Sequence, residues 1–386
     1  MPSLTASDPA ARAGAILEID LPALAANWRS LATETRPAEA AAVVKADAYG
    51  LGLAEAAPTL WAAGARTFFV AHLDEALTLR RLLPEAAIYV LNGLMAGAET
   101  DYLAQGLWPV LNSLEDVSRW RQTLAGAGTA ETDPTGQGPQ AALQVDTGMS
   151  RLGLDIRELA VLTAEPERTQ GIALSYLMSH LASADDPNSS QSEEQLAEFL
   201  TARRDLAAAT GRAGASFANS AGIFLGRNYH FDLVRPGSAL YGINPTGDRP
   251  NPMRQVVRLK GKILQVREID ALRGVGYGAT WRAKGPTRIA TVAVGYADGY
   301  LRSLSNCGYA LVGGQNVPVV GRVSMDLITL DVTAVPEAAA RPGAFAELLG
   351  SNLTVDAVGQ AAGTIGYEIL TSLGRRYHRV YLEGAA

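Results

Sequence analysis

Between residues 41 and 237 the chain repeats one pattern: a short, mostly apolar, β-favouring run, then a longer amphipathic stretch opened by a turn signal. The runs fall at 42–45, 67–71, 87–91, 109–112, 141–146, 172–178, 215–219 and 231–234. Near-continuous apolar strands separated by helices read as a parallel sheet buried on both faces. Eight such units in this length fit a (β/α)8 barrel rather than an open doubly wound sheet. Among the helical stretches, one opens at Asp74 with Glu75, Ala76, Leu77 and Leu79. Another is predicted over 190–209, with Ser190 as its cap, early Glu193 and Glu194, apolar Leu196, Phe199 and Leu200, and Gly211 as the stop.

After Tyr241-Gly242-Ile243 the rhythm changes. Strand-like segments at 256–266, 288–294, 309–312 and 327–332 are punctuated by Gly313-Gly314, Pro318 and Pro336, which predicts a mostly antiparallel β domain. The expected division is a barrel domain over 14–244 and a β domain over 245–386, with the junction near 244–252. The stretch 126–140, rich in Gly, Thr, Pro and Gln, reads as an exposed loop of the barrel domain.

Composition narrows the partners. The 386 residues suit two or three domains, and 48% hydrophobic with 19% charged residues is ordinary for a packed globular protein. Lysine plus arginine total 33 against 39 acids, a net charge of −6, so the chain offers no basic surface for nucleic acid. No apolar run approaches the roughly 20 residues a membrane helix needs, so no membrane role is expected. Residues 1–13 show neither a basic region nor an apolar core, so the location is read as cytoplasmic. Cys307 is the single cysteine and the four histidines are scattered, which excludes an internal disulfide and predicts no histidine/cysteine metal centre.

In a barrel of this kind, function collects where strands end. The polar residues there are Lys45, Arg151, His180, Asn219, Ser220 and Arg235. Lys45 follows Ala42-Val43-Val44 directly, so its amine would be desolvated on one side and its pKa lowered, as Schiff-base chemistry requires. The same spacing fits a lysine that merely snorkels at a strand end. Gly50 and Gly52 follow Tyr49, while Asn219-Ser220-Ala221-Gly222 and Arg235-Pro236-Gly237-Ser238 close the last two strands. Small residues with free N–H groups there suit a phosphate, and equally suit tight turns at a barrel rim. The spaced glycines Gly274, Gly276 and Gly278 lack the strand-then-helix setting of a dinucleotide site. By themselves His180, Tyr296 and Met325 read as ordinary packing, and Asp185-Asp186 and Glu193-Glu194 as a solvated loop and a charged helix start.

Taken together, the motifs become specific. Ala42-Val43-Val44-Lys45-Ala46-Asp47-Ala48-Tyr49-Gly50 resembles the pyridoxal-phosphate (PLP) lysine motif of alanine racemases. Val145-Asp146-Thr147-Gly148-Met149-Ser150-Arg151-Leu152-Gly153 resembles a second motif of that family. Arg235-Pro236-Gly237, Val275-Gly276-Tyr277-Gly278-Ala279-Thr280, Gly295-Tyr296-Ala297-Asp298-Gly299 and Gly321-Arg322-Val323-Ser324-Met325-Asp326 follow in family order, so the likeness runs from about Ile16 to Tyr381.

The resemblance implies an alanine racemase that interconverts L- and D-alanine by a two-base PLP mechanism, as a head-to-tail homodimer with shared active sites, and that supplies D-alanine for peptidoglycan. It implies that Lys45 holds PLP and is the base on one substrate face, with Tyr277 of the other subunit on the opposite face. Arg235 would face the pyridine nitrogen, with His180 behind it in the supporting hydrogen-bond network and Asn219 beside the cofactor. Because a guanidinium does not readily give up a proton, that nitrogen would stay unprotonated. Tyr49, Ser220, Gly237, Ser238 and Tyr367 resemble the phosphate ligands, and Arg151 and the Met325 backbone resemble groups that meet the substrate carboxylate. No metal is implied.

Three positions depart from the pattern. Gln144 stands where many members carry a lysine that becomes carbamylated and orients the arginine matched by Arg151, so Gln144 itself or a bound chloride would take over that task. Leu51 and Ser324 replace a common histidine and a frequent cysteine. A decarboxylase on the same plan would show a glycine triplet and a late Cys-Asp pair, whereas Cys307 is followed by Gly308. A PLP carrier would lack the β domain. The remaining alternative is a serine or broader-specificity racemase using the same site.

Overall fold

The computed structural model describes residues 9–127, 138–186, 188–247 and 249–383. Most of the 126–140 stretch, residue 248 of the junction and residues 1–8 of the N-terminal reading lie outside them. The parallel sheet runs in the order Glu39–Ala40, Leu233–Arg235, Gly214–Asn219, Ala173–Met178, Gln140–Gln144, Trp108–Leu111, Ala87–Val90, Thr67–Val70, Ala42–Val43. The first and last members are separated only by Ala41, whose N–H donates to Val234 O at 3.0 Å, while Val44 N–H donates to Phe69 O at 2.9 Å. Residues 39–43 therefore form one stave that pairs on both sides and closes an eight-stave (β/α)8 barrel.

The interior is filled rather than hollow. Phe69 stacks on Tyr89 at 4.9 Å, Trp108 meets the Tyr89 ring edge-on at 5.1 Å, and the buried Tyr89 hydroxyl donates to Ser175 Oγ at 2.7 Å. Each such ring contributes about 2–3 kcal/mol by leaving water.

The helices follow their terminal chemistry. Leu73–Leu82 carries Asp74 and Glu75 in its first turn and Arg80 and Arg81 in its last, complementing the dipole. The predicted helix over 190–209 differs in two respects. It is Gln191–Asp205 followed, after Leu206, by Ala207–Thr210. Ser190 has helical dihedrals (φ −70°, ψ −15°), so its hydroxyl donates to Glu194 Oε1 at 2.7 Å instead of capping the backbone. Gly211 stops the helix as expected, at φ +57°.

The second sheet is built around the long strand Val257–Ile269, which pairs antiparallel with Ala15–Asp20, Thr287–Val292 and Phe345–Leu349. Its one parallel contact joins Ala15–Asp20 to His378–Leu382. The N-terminal strand, expected with the barrel segment beginning at 14, thus lies at the heart of the β sheet. Asp20 then caps the helix Leu21–Glu34 through Ala23 N–H at 2.8 Å, and that helix leads back to the barrel. Asn27, 2% exposed, donates to Leu240 O and Arg254 O at 3.1 and 2.9 Å and accepts from Arg254 N–H at 2.7 Å. One continuous apolar core runs through both parts. Among the described residues no helix is long and apolar enough to cross a membrane, and no His/Cys/Asp/Glu group could hold a metal ion.

Candidate active site

A cavity of about 450 Å³ opens at the C-terminal ends of the barrel staves. Lys45, Tyr49, Arg151, His180, Asn219, Ser220, Arg235, Gly237, Ser238 and Tyr367 all line it. Ten of the twelve expected site residues are thus brought together, although they are drawn from six separate stretches of chain.

Lys45 sits just past the first stave. The four residues after it, Ala46 to Tyr49, all have φ of 54–55°, a left-handed turn that costs an L-residue roughly 1–2 kcal/mol each. The turn is closed by Gly50 N–H to Ala46 O at 2.7 Å, Gly52 N–H to Asp47 O at 2.9 Å, and Leu53 N–H to Asp47 Oδ1 at 2.7 Å. From the β domain, Arg379 Nη1 donates to Gly50 O at 2.8 Å and the Tyr381 hydroxyl to Leu51 O at 2.9 Å. Gly50 is required here: its φ is +81°, and a Cβ would lie 2.6 Å from Leu370 O. The reversal returns Tyr49 to the cavity, stacked on Tyr241 at 4.6 Å.

The electrostatics are one-sided. Lys45, Arg151 and Arg235 face the cavity, and none of its lining residues is a carboxylate. Burial lowers the Lys45 amine from its ordinary range, the Arg151 guanidinium lowers it further, and Glu75 opposes both. Burial, followed by Arg235, Arg151 and Lys45, drives His180 down to about 3, so its ring is neutral. Arg235, 4% exposed, donates to Ser216 Oγ at 2.5 Å and Ser179 O at 2.6 Å, and burial lowers it to about 10. His180 is not among these hydrogen-bond partners, which differs from the network the resemblance implied.

Elsewhere in the lining, Ser220 Oγ accepts from Gly237 N–H at 2.9 Å and Ala239 N–H at 3.2 Å, and Ser238 Oγ donates to the Tyr367 hydroxyl at 2.8 Å. Gly237 leaves space for the Tyr49 hydroxyl, which a Cβ there would strike. A cavity lined by the hydroxyls of Tyr49, Ser220, Ser238 and Tyr367, a lysine of lowered pKa and a buried guanidinium fits the phosphate, aldehyde and ring nitrogen of PLP.

Comparison with known proteins settles the affiliation. The model of the alanine racemase N-terminal domain matches residues 19–245, and that of the C-terminal domain matches 256–381. The chain belongs to the alanine racemase family. It is 53% identical to the alanine racemase of Methylobacterium nodulans over 97% of both chains, and 52% identical to that of Rhodospirillum rubrum over 96% of both. Among solved structures, alanine racemase from Bartonella henselae with covalently bound pyridoxal phosphate superposes with a TM-score of 0.89 at 42% identity, covering 96% of this chain and 100% of that one.

Two site residues expected from the racemase pattern lie elsewhere. Tyr277, on a turn of the β domain, is 73% exposed, and Met325 is 53% exposed; neither lines the cavity of its own chain. Gln144, one of the three positions that depart from the expected pattern, donates from Nε2 to Leu152 O at 3.1 Å. It grips the backbone beside Arg151, in a loop whose Gly148, Met149 and Ser150 amides all converge on Asp146 Oδ1 at 2.9–3.1 Å. Sequence reasoning missed Asn92 and Thr371 as lining residues. Asn92 follows the stave Ala87–Val90, a strand-end signal that was available; Thr371 lies one helical turn beyond Tyr367.

Proposed function

We propose that this protein interconverts L- and D-alanine with PLP held on Lys45, as a homodimer in which each cavity is completed by Tyr277 and Met325 of the neighbouring chain. The observation that carries this reading is a cavity with three cationic side chains and no carboxylate, which suits a ligand bearing both a phosphate and an amino-acid carboxylate. Tyr49, Ser220, Gly237, Ser238 and Tyr367 would hold the phosphate of PLP, Asn219 would lie beside it, and Arg235, with His180 behind, would meet the ring nitrogen. Bound there, PLP supplies the electron withdrawal that makes the α-proton removable.

The rest falls to the chain. Arg151 holds the substrate carboxylate, helped by the Met325 backbone. Lys45, its pKa lowered by burial and by Arg151, removes or returns the proton on one face of the α-carbon. The Tyr277 hydroxyl does the same on the other face, and inversion follows when removal and return occur on opposite faces. Strong exposure of Tyr277 and its absence from its own cavity support delivery from a second chain. We place the reaction in the cytoplasm, with D-alanine passing to peptidoglycan; the single thiol, Cys307, leaves no internal disulfide to form and suits a reducing compartment.

The test is incubation of the PLP-loaded protein with L-alanine in heavy water. Proton NMR follows loss of the α-proton signal, and chiral chromatography follows D-alanine. Loss with D-alanine appearing is expected; repeats with serine, lysine and arginine set the breadth. Exchange without inversion would remove Tyr277 from its role, and no exchange with PLP bound would overturn the reading. Mixing Lys45→Ala with Tyr277→Phe chains should recover activity. No recovery despite demonstrated subunit exchange would place each site within one chain.

A further inference from the structure

Glu75 lies outside the cavity lining, on the helix Leu73–Leu82 that follows the second barrel stave. One oxygen of its carboxylate accepts from Ala46 N–H at 2.6 Å, the other from Ala71 N–H at 2.8 Å and His72 N–H at 3.1 Å. A single carboxylate therefore ties the start of the left-handed turn to the neighbouring strand-to-helix loop. We propose that Glu75 is a positioning residue of the cofactor site, its carboxylate locking the left-handed turn that presents Lys45 and Tyr49.

The turn needs such a lock. Strained residues persist only where their surroundings over-determine them. Ala48 and Tyr49 are packed, but Ala46 and Asp47 are exposed, so packing does not hold the first half of the turn. A charge-assisted hydrogen bond at Ala46, about twice as strong as a neutral one, acts where packing is missing. Glu75 is itself anchored: it sits in the first turn of its helix, where the positive end of the dipole favours a carboxylate.

The same charge acts on the lysine. The other titratable groups lining the cavity with Lys45 are Tyr49 on its own turn and Arg151, His180, Arg235 and Tyr367 from other elements, none of them a carboxylate. Burial and Arg151 lower the amine, and Glu75 raises it. Removing Glu75 should therefore loosen the turn and leave Lys45 neutral at still lower pH.

The inference rests on Lys45 as the PLP-bearing residue, and the experiment keeps the two apart. Glu75→Gln and Glu75→Ala would be compared with the unaltered protein by hydrogen exchange of amides 46–50, by PLP affinity, and by the pH dependence of Lys45 acylation in the PLP-free protein, read by peptide mass spectrometry. Exchange of those amides should rise, and PLP affinity should fall, by about tenfold in Glu75→Ala, as loss of a charged hydrogen bond requires. The acylation midpoint should move down in both variants, since the charge that raises the Lys45 amine is gone. Unaltered exchange in both would overturn the proposal, as would an unmoved midpoint. Should Glu75→Ala fail to fold, Glu75→Gln alone decides by the same two readings. Separately, borohydride reduction of the PLP-loaded protein should leave PLP on the Lys45 peptide. PLP found elsewhere would overturn the lysine assignment, not the lock.

Discussion

The chain contains only four lysines. Lys260 pairs with Glu18 at 2.6 Å, Lys262 donates to Ala11 O and lies over the Phe345 ring, and Lys284 is exposed. Lys45 alone faces the cavity. Because its pKa is lowered, its neutral fraction rises at lower pH than for an ordinary lysine. An acylating reagent at mildly alkaline pH should therefore modify Lys45 ahead of Lys260 and Lys262, and bound PLP should protect it, both read by peptide mass spectrometry. Gly237 offers a steric counterpart: Gly237→Ala would drive a methyl into the Tyr49 hydroxyl and should weaken PLP binding by about tenfold in a fluorescence titration. Lys45 and Arg235 were legible in the sequence because each follows an apolar run where a barrel puts its chemistry. Glu75 was not: it reads as one more acid in a helical first turn, and its partner Ala46 lies 29 residues away.

Elements follow the same logic. Strands were legible because near-continuous apolar runs of the right length have few other uses, and every barrel stave falls within three residues of its expected bounds. The Ser190 cap was not, since residue type says nothing about whether the backbone leaves its hydroxyl free to turn inward. Ser190→Ala should accordingly cost less than about 0.5 kcal/mol in urea denaturation, against the ~1 kcal/mol typical of a true cap. The Arg151 loop is a second case. Gln144 holds it through the carbonyl of Leu152, so Gln144→Leu removes one hydrogen bond worth about 1 kcal/mol. Expected is a rise of roughly fivefold in KM for alanine with a smaller change in kcat; a loss confined to kcat would mean Gln144 acts elsewhere.

At the scale of the whole molecule, the division into barrel and β sheet was visible in the change of rhythm after Ile243, but the crossing of the N-terminal strand was not. Ala15–Asp20 is a short apolar run like the barrel staves, and its antiparallel partner lies more than 200 residues downstream, with Ala15 opposite Gly261. That strand sits between Val257–Ile269 and His378–Leu382, so the two parts cannot be cut apart at 244 without opening the sheet. A fragment beginning at residue 245 would carry a slot one strand wide, bordered by two unpaired ladders, and such edges recruit other copies of themselves. It should precipitate or associate on size-exclusion chromatography. A peptide spanning residues 9–20, added during refolding, should return it to a discrete species; failure would mean the slot closes without its strand. The chain is in this sense sewn shut by its N-terminal strand, and a protease that frees that strand would unpick the part of the molecule farthest from it in sequence.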